Sequence, residues 1–67
     1  MKELKAVMVL KDVSQVELAR ELNISPKTLN RKINGRSDFT ILEVFQISSF
    51  LGLTAQEVGE CFFPEVA

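Results

Sequence analysis

The sequence predicts an all-α bundle of five short helices. Three Ser/Thr-x-x-Glu boxes, at Ser14 and Glu17, Thr40 and Glu43, and Thr54 and Glu57, stand at the edges of apolar runs. In each box the hydroxyl can accept from an early helical N–H while the Glu reaches back to the cap N–H, which satisfies two donors at a helix start. Ser25-Pro26 marks another start, a good N-cap before a proline at the first helical position, where a missing N–H costs nothing. Nothing alternates long enough to make a strand, and no repeat, low-complexity tract or linker interrupts the chain, which reads as one domain over residues 1–67.

The elements follow in order. The first helix is expected over about 2–10, with Leu4, Val7, Met8 and Leu10 as its apolar face. The second spans about 14–21 and buries Val16 (or part of it), Leu18, Ala19 and Leu22. Asn23 occupies the following turn, because Asn tolerates a left-handed backbone better than most residues. The third spans about 25–33, with Leu29 and Ile33 facing inward, and Asn34-Gly35 stops it. The fourth covers about 40–51 and ends at Gly52; the fifth covers about 54–62 and frays before Pro64.

Bulk properties narrow the function. At 67 residues a chain hides only roughly 60 % of its unfolded surface, so the core is small. The apolar content of 46 % suits a packed fold rather than disorder. No run approaches the roughly 18 apolar residues of a membrane span, and no signal-peptide pattern opens the chain. Cys61, the single cysteine, cannot form an internal disulfide, which fits a reducing cytoplasm. Without histidine, no structural zinc site can be assembled, and no metal or cofactor is implied. Cys61 lacks a histidine partner and reads as a packing residue rather than a nucleophile. Glu57, Glu60 and Glu65 are a weak pretext for acid–base chemistry, so an enzyme is not expected.

The net charge of −1 hides a division. Residues 1–36 carry all eight Lys and Arg against four acids, a net of +4; residues 37–67 carry five acids and no base. No acid occurs between Leu22 and Ser37, where Lys27, Arg31, Lys32 and Arg36 cluster. A basic, polar helix braced by an apolar one can be laid into a DNA major groove. Taken alone, the same cations would also suit a solvated helix face. Lys27 and Arg31, four apart, project from one side. Arg can pair bidentately with guanine, Lys can donate to guanine acceptors, and Asn30 can reach an adenine. Ser25 and Thr28 lie at the helix N-terminus, which favours phosphate.

These residues resemble the lambda-repressor and Cro-like helix-turn-helix domains of phage repressors and bacterial regulators. The likeness covers about residues 3–60 and is most specific in Ser14-Gln15-x-x-Leu18-Ala19-x-x-Leu22-x-Ile24-Ser25, followed by Thr28-Leu29 and Asn34-Gly35. Leu51-Gly52-Leu53-Thr54 resembles the junction of helices four and five, and Arg36-x-Asp38-Phe39-Thr40 a phage-type subgroup. The resemblance implies a compact five-helix bundle acting as a sequence-specific, phage- or prophage-type repressor of transcription. It implies base reading by Pro26, Lys27, Asn30 and Arg31, and backbone contacts from Gln15, Ser25, Thr28, Asn34, Gly35 and Arg36. Ala19 falls where a small residue lets the third helix pack close.

Two positions depart from the family pattern. Pro26 replaces what is often a polar base-reading side chain. Lys32-Ile33 reverses the usual apolar-then-polar order, which predicts a rotated or differently ended third helix.

The fourth helix is apolar over more than one stripe, and Phe62 and Phe63 add area beyond it. A homodimer contact through Val58, Phe62, Phe63 and Leu42 is expected; the alternative is that the aromatics close a monomeric core. The expected partners are double-stranded DNA, a second copy and a second protein, without a membrane. Partner binding by the apolar C-terminal surface supports a second reading, a protein-interaction module such as an antitoxin or regulator component.

Overall fold

The computed structural model describes residues 2–66. Among them lie five helices and no strand: α1 (Lys2–Leu10), α2 (Gln15–Leu22), α3 (Pro26–Ile33), α4 (Ile41–Leu51) and α5 (Ala55–Phe62). The predicted ends shift by a residue or less because Ser14, Ser25, Thr40 and Thr54 are N-caps with extended backbone rather than first helical residues. All three capping boxes close. The Glu17 N–H donates to Ser14 Oγ at 3.1 Å, and the Ser14 N–H donates to Glu17 Oε1 at 3.0 Å. Thr40 with Glu43, and Thr54 with Glu57, repeat the geometry within 0.1 Å.

The helix ends also share one device. Asp12, Asn23, Gly35 and Gly52 take left-handed backbone, and the next residue's N–H reaches back to a carbonyl five residues earlier, as in Val13 to Met8, Ile24 to Ala19, Arg36 to Arg31 and Leu53 to Ser48. After α1, α2 and α4 that next residue is Val13, Ile24 or Leu53, each tucked against the core. After α3 it is Arg36, which is exposed. The same closure that anchors three helix ends inward sends the fourth outward.

The core joins Leu4 and Met8 from α1, Leu18, Ala19 and Leu22 from α2, Leu29 and Ile33 from α3, Ile47 and Leu51 from α4, and Cys61 from α5. Helix α2 is central and packs on both α3 and α4, while α5 packs on α1 and α4. No buried side-chain polar atom among the described residues lacks a partner. No helix there is long and apolar enough to cross a membrane.

Two expectations about packing need correction. Leu10 is 84 % exposed. It lies six residues after Leu4, and at about 100° per residue that places it roughly 120° off the buried stripe. Val16 is more than half exposed, so α2 is held by Leu18, Ala19 and Leu22. Phe62 is half-buried and packs against the core, where its ring meets Phe39 edge-on at 5.6 Å. Cys61 is buried as expected, and burial, then the charges of Glu57, Glu3 and Glu60, push its thiol pKa up, against nucleophilic chemistry.

Candidate nucleic-acid interface

The candidate site is the outer side of the α2–α3 pair. Ala19 is fully buried and keeps α2 slim where α3 packs; Leu29 and Ile33, both fully buried, pin α3 by its inner face. With those two residues inward, Lys27, Asn30 and Arg31 are exposed, as is Pro26 at the tip. The chain thus turns α3 so that its cations meet solvent and its two large aliphatics do not.

Ser25 is occupied by its own helix. Its hydroxyl accepts from the Thr28 N–H at 3.1 Å and donates to Thr28 Oγ1 at 2.9 Å. The Thr28 hydroxyl keeps its own proton for an outside acceptor. At the other end, the Gly35 N–H donates to the Lys32 carbonyl at 3.1 Å and the Arg36 N–H to the Arg31 carbonyl at 2.9 Å. That closure presents Asn34, Gly35 and Arg36 on the surface beside α3.

Lys32 departs from the basic face read in the sequence. Its ammonium turns to Glu43 at 2.7 Å, and both side chains are nearly buried, 13 % and 12 % exposed. The ammonium also donates to the Asp38 carbonyl at 3.2 Å and lies 5.8 Å from the Phe39 ring centre. Burial opposes charge on Glu43, yet the Lys32 hydrogen bond and the Thr40 backbone N–H outweigh it and hold the carboxyl below its usual pKa. With the reversed Lys32-Ile33 order, α3 still runs to Ile33. Ile33 fills the core, and Lys32 becomes the tie between α3 and the start of α4.

Gln15, the first residue of α2, is half-buried and accepts from Asn30 Nδ2 at 3.3 Å. Asn34 Nδ2 donates to Asn30 Oδ1 at 3.0 Å, and Lys5 Nζ donates to Asn34 Oδ1 at 3.1 Å. The structure thus joins Gln15, Asn30 and Asn34, and adds Lys5, which sequence reasoning did not single out. The bond from Lys5 crosses 29 positions, so no local pattern announces it.

The residues expected at a dimer contact do not behave alike. Leu42 is 66 % exposed and Phe63 41 % exposed. Val58 and Phe62 are half-buried, Phe62 packed against the core.

The helix-turn-helix family model matches residues 4–58, from the first core residue of α1 into α5. No curated protein and no solved structure matches the chain. The match spans the capped α2–α3 pair and the helices that support it, and the protein is therefore a member of the lambda-repressor and Cro-like helix-turn-helix family of DNA-binding regulatory domains.

Proposed function

We propose that the protein is a sequence-specific transcriptional regulator of the small phage or prophage repressor type, with α3 as its major-groove helix. The observation that carries this reading is an α3 whose solvent face holds Lys27, Asn30 and Arg31 with no acid, while Leu29 and Ile33 anchor the opposite face. Lys27 and Arg31 supply the base contacts, with Pro26 packing at the leading edge. Gln15, Thr28, Asn34, Gly35 and Arg36 hold the sugar-phosphate backbone, and Ser25 contributes by capping the helix tip that faces it.

Each copy offers one such helix, α3 of 8 residues, while successive major grooves on one DNA face lie roughly 34 Å apart. One copy therefore reads one half-site, and a palindromic operator takes two. Pairing through α5 and the C-terminal segment, with Leu42, Val58 and Phe63 at the contact, would set the half-site spacing. Repression follows if the bound pair blocks polymerase.

Selection of bound duplexes from a random DNA pool tests the reading. It should return a short motif repeated with two-fold symmetry at one-turn spacing. A pool that stays random would contradict sequence-specific binding.

A protein-interaction role has its own support in the exposed Ile41, Leu42 and Phe45 of α4. Sedimentation distinguishes the cases: self-association that strengthens with DNA favours the repressor pair, and a strict monomer in both conditions favours a different protein partner.

A further inference from the structure

The side-chain bonds that link Lys5, Asn34, Asn30 and Gln15 run in one direction. Lys5 donates to the Asn34 amide oxygen, the Asn34 amide nitrogen donates to the Asn30 oxygen, and the Asn30 nitrogen donates to the Gln15 oxygen. Every amide oxygen of the series already accepts a bond within it. Each oxygen keeps a second lone pair, and the free protons are the Gln15 amide N–H groups, one N–H each on Asn34 and Asn30, and the remaining ammonium protons of Lys5. Lys5, Asn30 and Asn34 are exposed and Gln15 half-buried. A row of free N–H donors with a cation at one end can hold an anion that only accepts, and a DNA strand presents such anions at regular spacing.

We propose that Lys5, Asn34, Asn30 and Gln15 form one preassembled rail for the DNA backbone, in which Lys5 adds a phosphate contact from α1 and Asn30 positions Gln15 instead of reading a base. Bidentate recognition of adenine uses the oxygen and nitrogen of one amide side by side. For Asn30 it would have to use the second N–H and second lone pair of an amide already held by Gln15 and Asn34. Holding Gln15 Oε1 turns the Gln15 N–H groups outward before DNA arrives, so less side-chain freedom is lost on binding. The rail moves the edge of the interface from the α2–α3 pair to α1, and leaves base discrimination to Lys27 and Arg31. This inference rests on the DNA-binding reading above.

Salt dependence of duplex binding separates the two. Each phosphate neutralised by a cation contributes about 0.9 to the slope of log K against log salt, so raising salt from about 50 to 200 mM should cost the wild type about 3.5-fold more affinity than Lys5→Gln for each bound copy. Lys5→Arg should restore the wild-type slope. Asn30→Ala should weaken every duplex by the same factor and leave the base preference intact. In a Gln15→Ala background it should cost almost nothing more, because its effect runs through Gln15. Circular dichroism melts of the same variants should match the wild type. A Lys5→Gln slope equal to wild type, or an Asn30→Ala loss confined to one base pair, would overturn the rail while DNA binding stands. A wild type without salt-sensitive binding would overturn the DNA-binding reading itself.

Discussion

Helices α3 and α4 have the same inside and opposite outsides. Each plants aliphatics in one core, Leu29 and Ile33 from α3, Ile47 and Leu51 from α4. Outward, α3 presents Lys27, Asn30 and Arg31, whereas α4 presents Ile41, Leu42, Phe45 and Phe50, each more than a third exposed. The inner faces hold the fold together, and the outer faces have little to do for the monomer. What a side chain contributes is thus decided by its angle on the helix more than by its chemistry. Lys32 shows the same thing from within α3: one residue after Arg31, it turns inward to Glu43 and serves structure rather than surface.

The largest effects should come from the shared inside. Leu29→Ala and Ile47→Ala should each cost about 2–5 kcal/mol, through lost burial and the cavity left behind. A small domain has about 0.05–0.15 kcal/mol of stability per residue, so either change should leave much of the population unfolded in a denaturant titration. Similar losses at both sites support equivalent inner faces. A large loss at only one would break that half of the comparison.

Glu43 comes next, because it both caps α4 and holds Lys32. Glu43→Ala should cost about 2–3 kcal/mol, as a nearly buried ammonium loses its partner. Acid should act at the same place. Glu17, Glu43 and Glu57 all have folded pKa values below their ordinary ones. At Glu17 the Ser14 backbone bond is the main cause, and at Glu57 the Thr54 backbone bond. Their stabilisation is therefore present above the unfolded value, about 4.3 for Glu, and is lost as pH falls through the lower folded values. Thermal melts should be nearly flat from about pH 6 to 8 and fall below about pH 4.5, with a shallower fall in Glu43→Gln.

The outer faces should separate binding from stability. Arg31→Ala should cost about 1–3 kcal/mol of binding at one base pair, and relax specificity there. Its melt should stay within about 0.5 kcal/mol of wild type. Lys32→Ala should do the reverse, destabilising the fold without changing the salt slope of binding. If Lys32→Ala weakens DNA binding as steeply as Arg31→Ala, the division between the two neighbours fails.

The smallest change in monomer stability is expected on the far side of α4. Leu42→Ser should alter the melt of a dilute sample by no more than about 0.5 kcal/mol. At high concentration it should lower the sedimenting mass if α4 contributes to pairing.

The caps were legible because a capping box is local: Thr40 and Glu43 need nothing beyond their own turn. The inner stripe of α3 was legible because its remaining residues are polar, which leaves Leu29 and Ile33 one direction to face. In α4 that reasoning had no purchase. A helix apolar all round has no phase in its pattern, and only packing against α2 and α5 selects Val44, Ile47 and Leu51 over Ile41 and Phe45. Leu10 is apolar and close to the α1 stripe in sequence but off it in angle, and composition alone does not separate the two. The pairing of Lys32 with Glu43 and the bond from Lys5 to Asn34 both join separate helices, and no spacing within one helix encodes them.

Backbone amide shifts of labelled protein, followed as duplex is added, test most directly which face meets DNA. Shifts should concentrate at Gln15, Lys27 to Arg31 and Asn34 to Arg36, with Lys5 joining them and α4 beyond its first turn quiet. Shifts gathered on Leu42, Phe45 and Phe63, with α3 unmoved, would contradict an interface on α3.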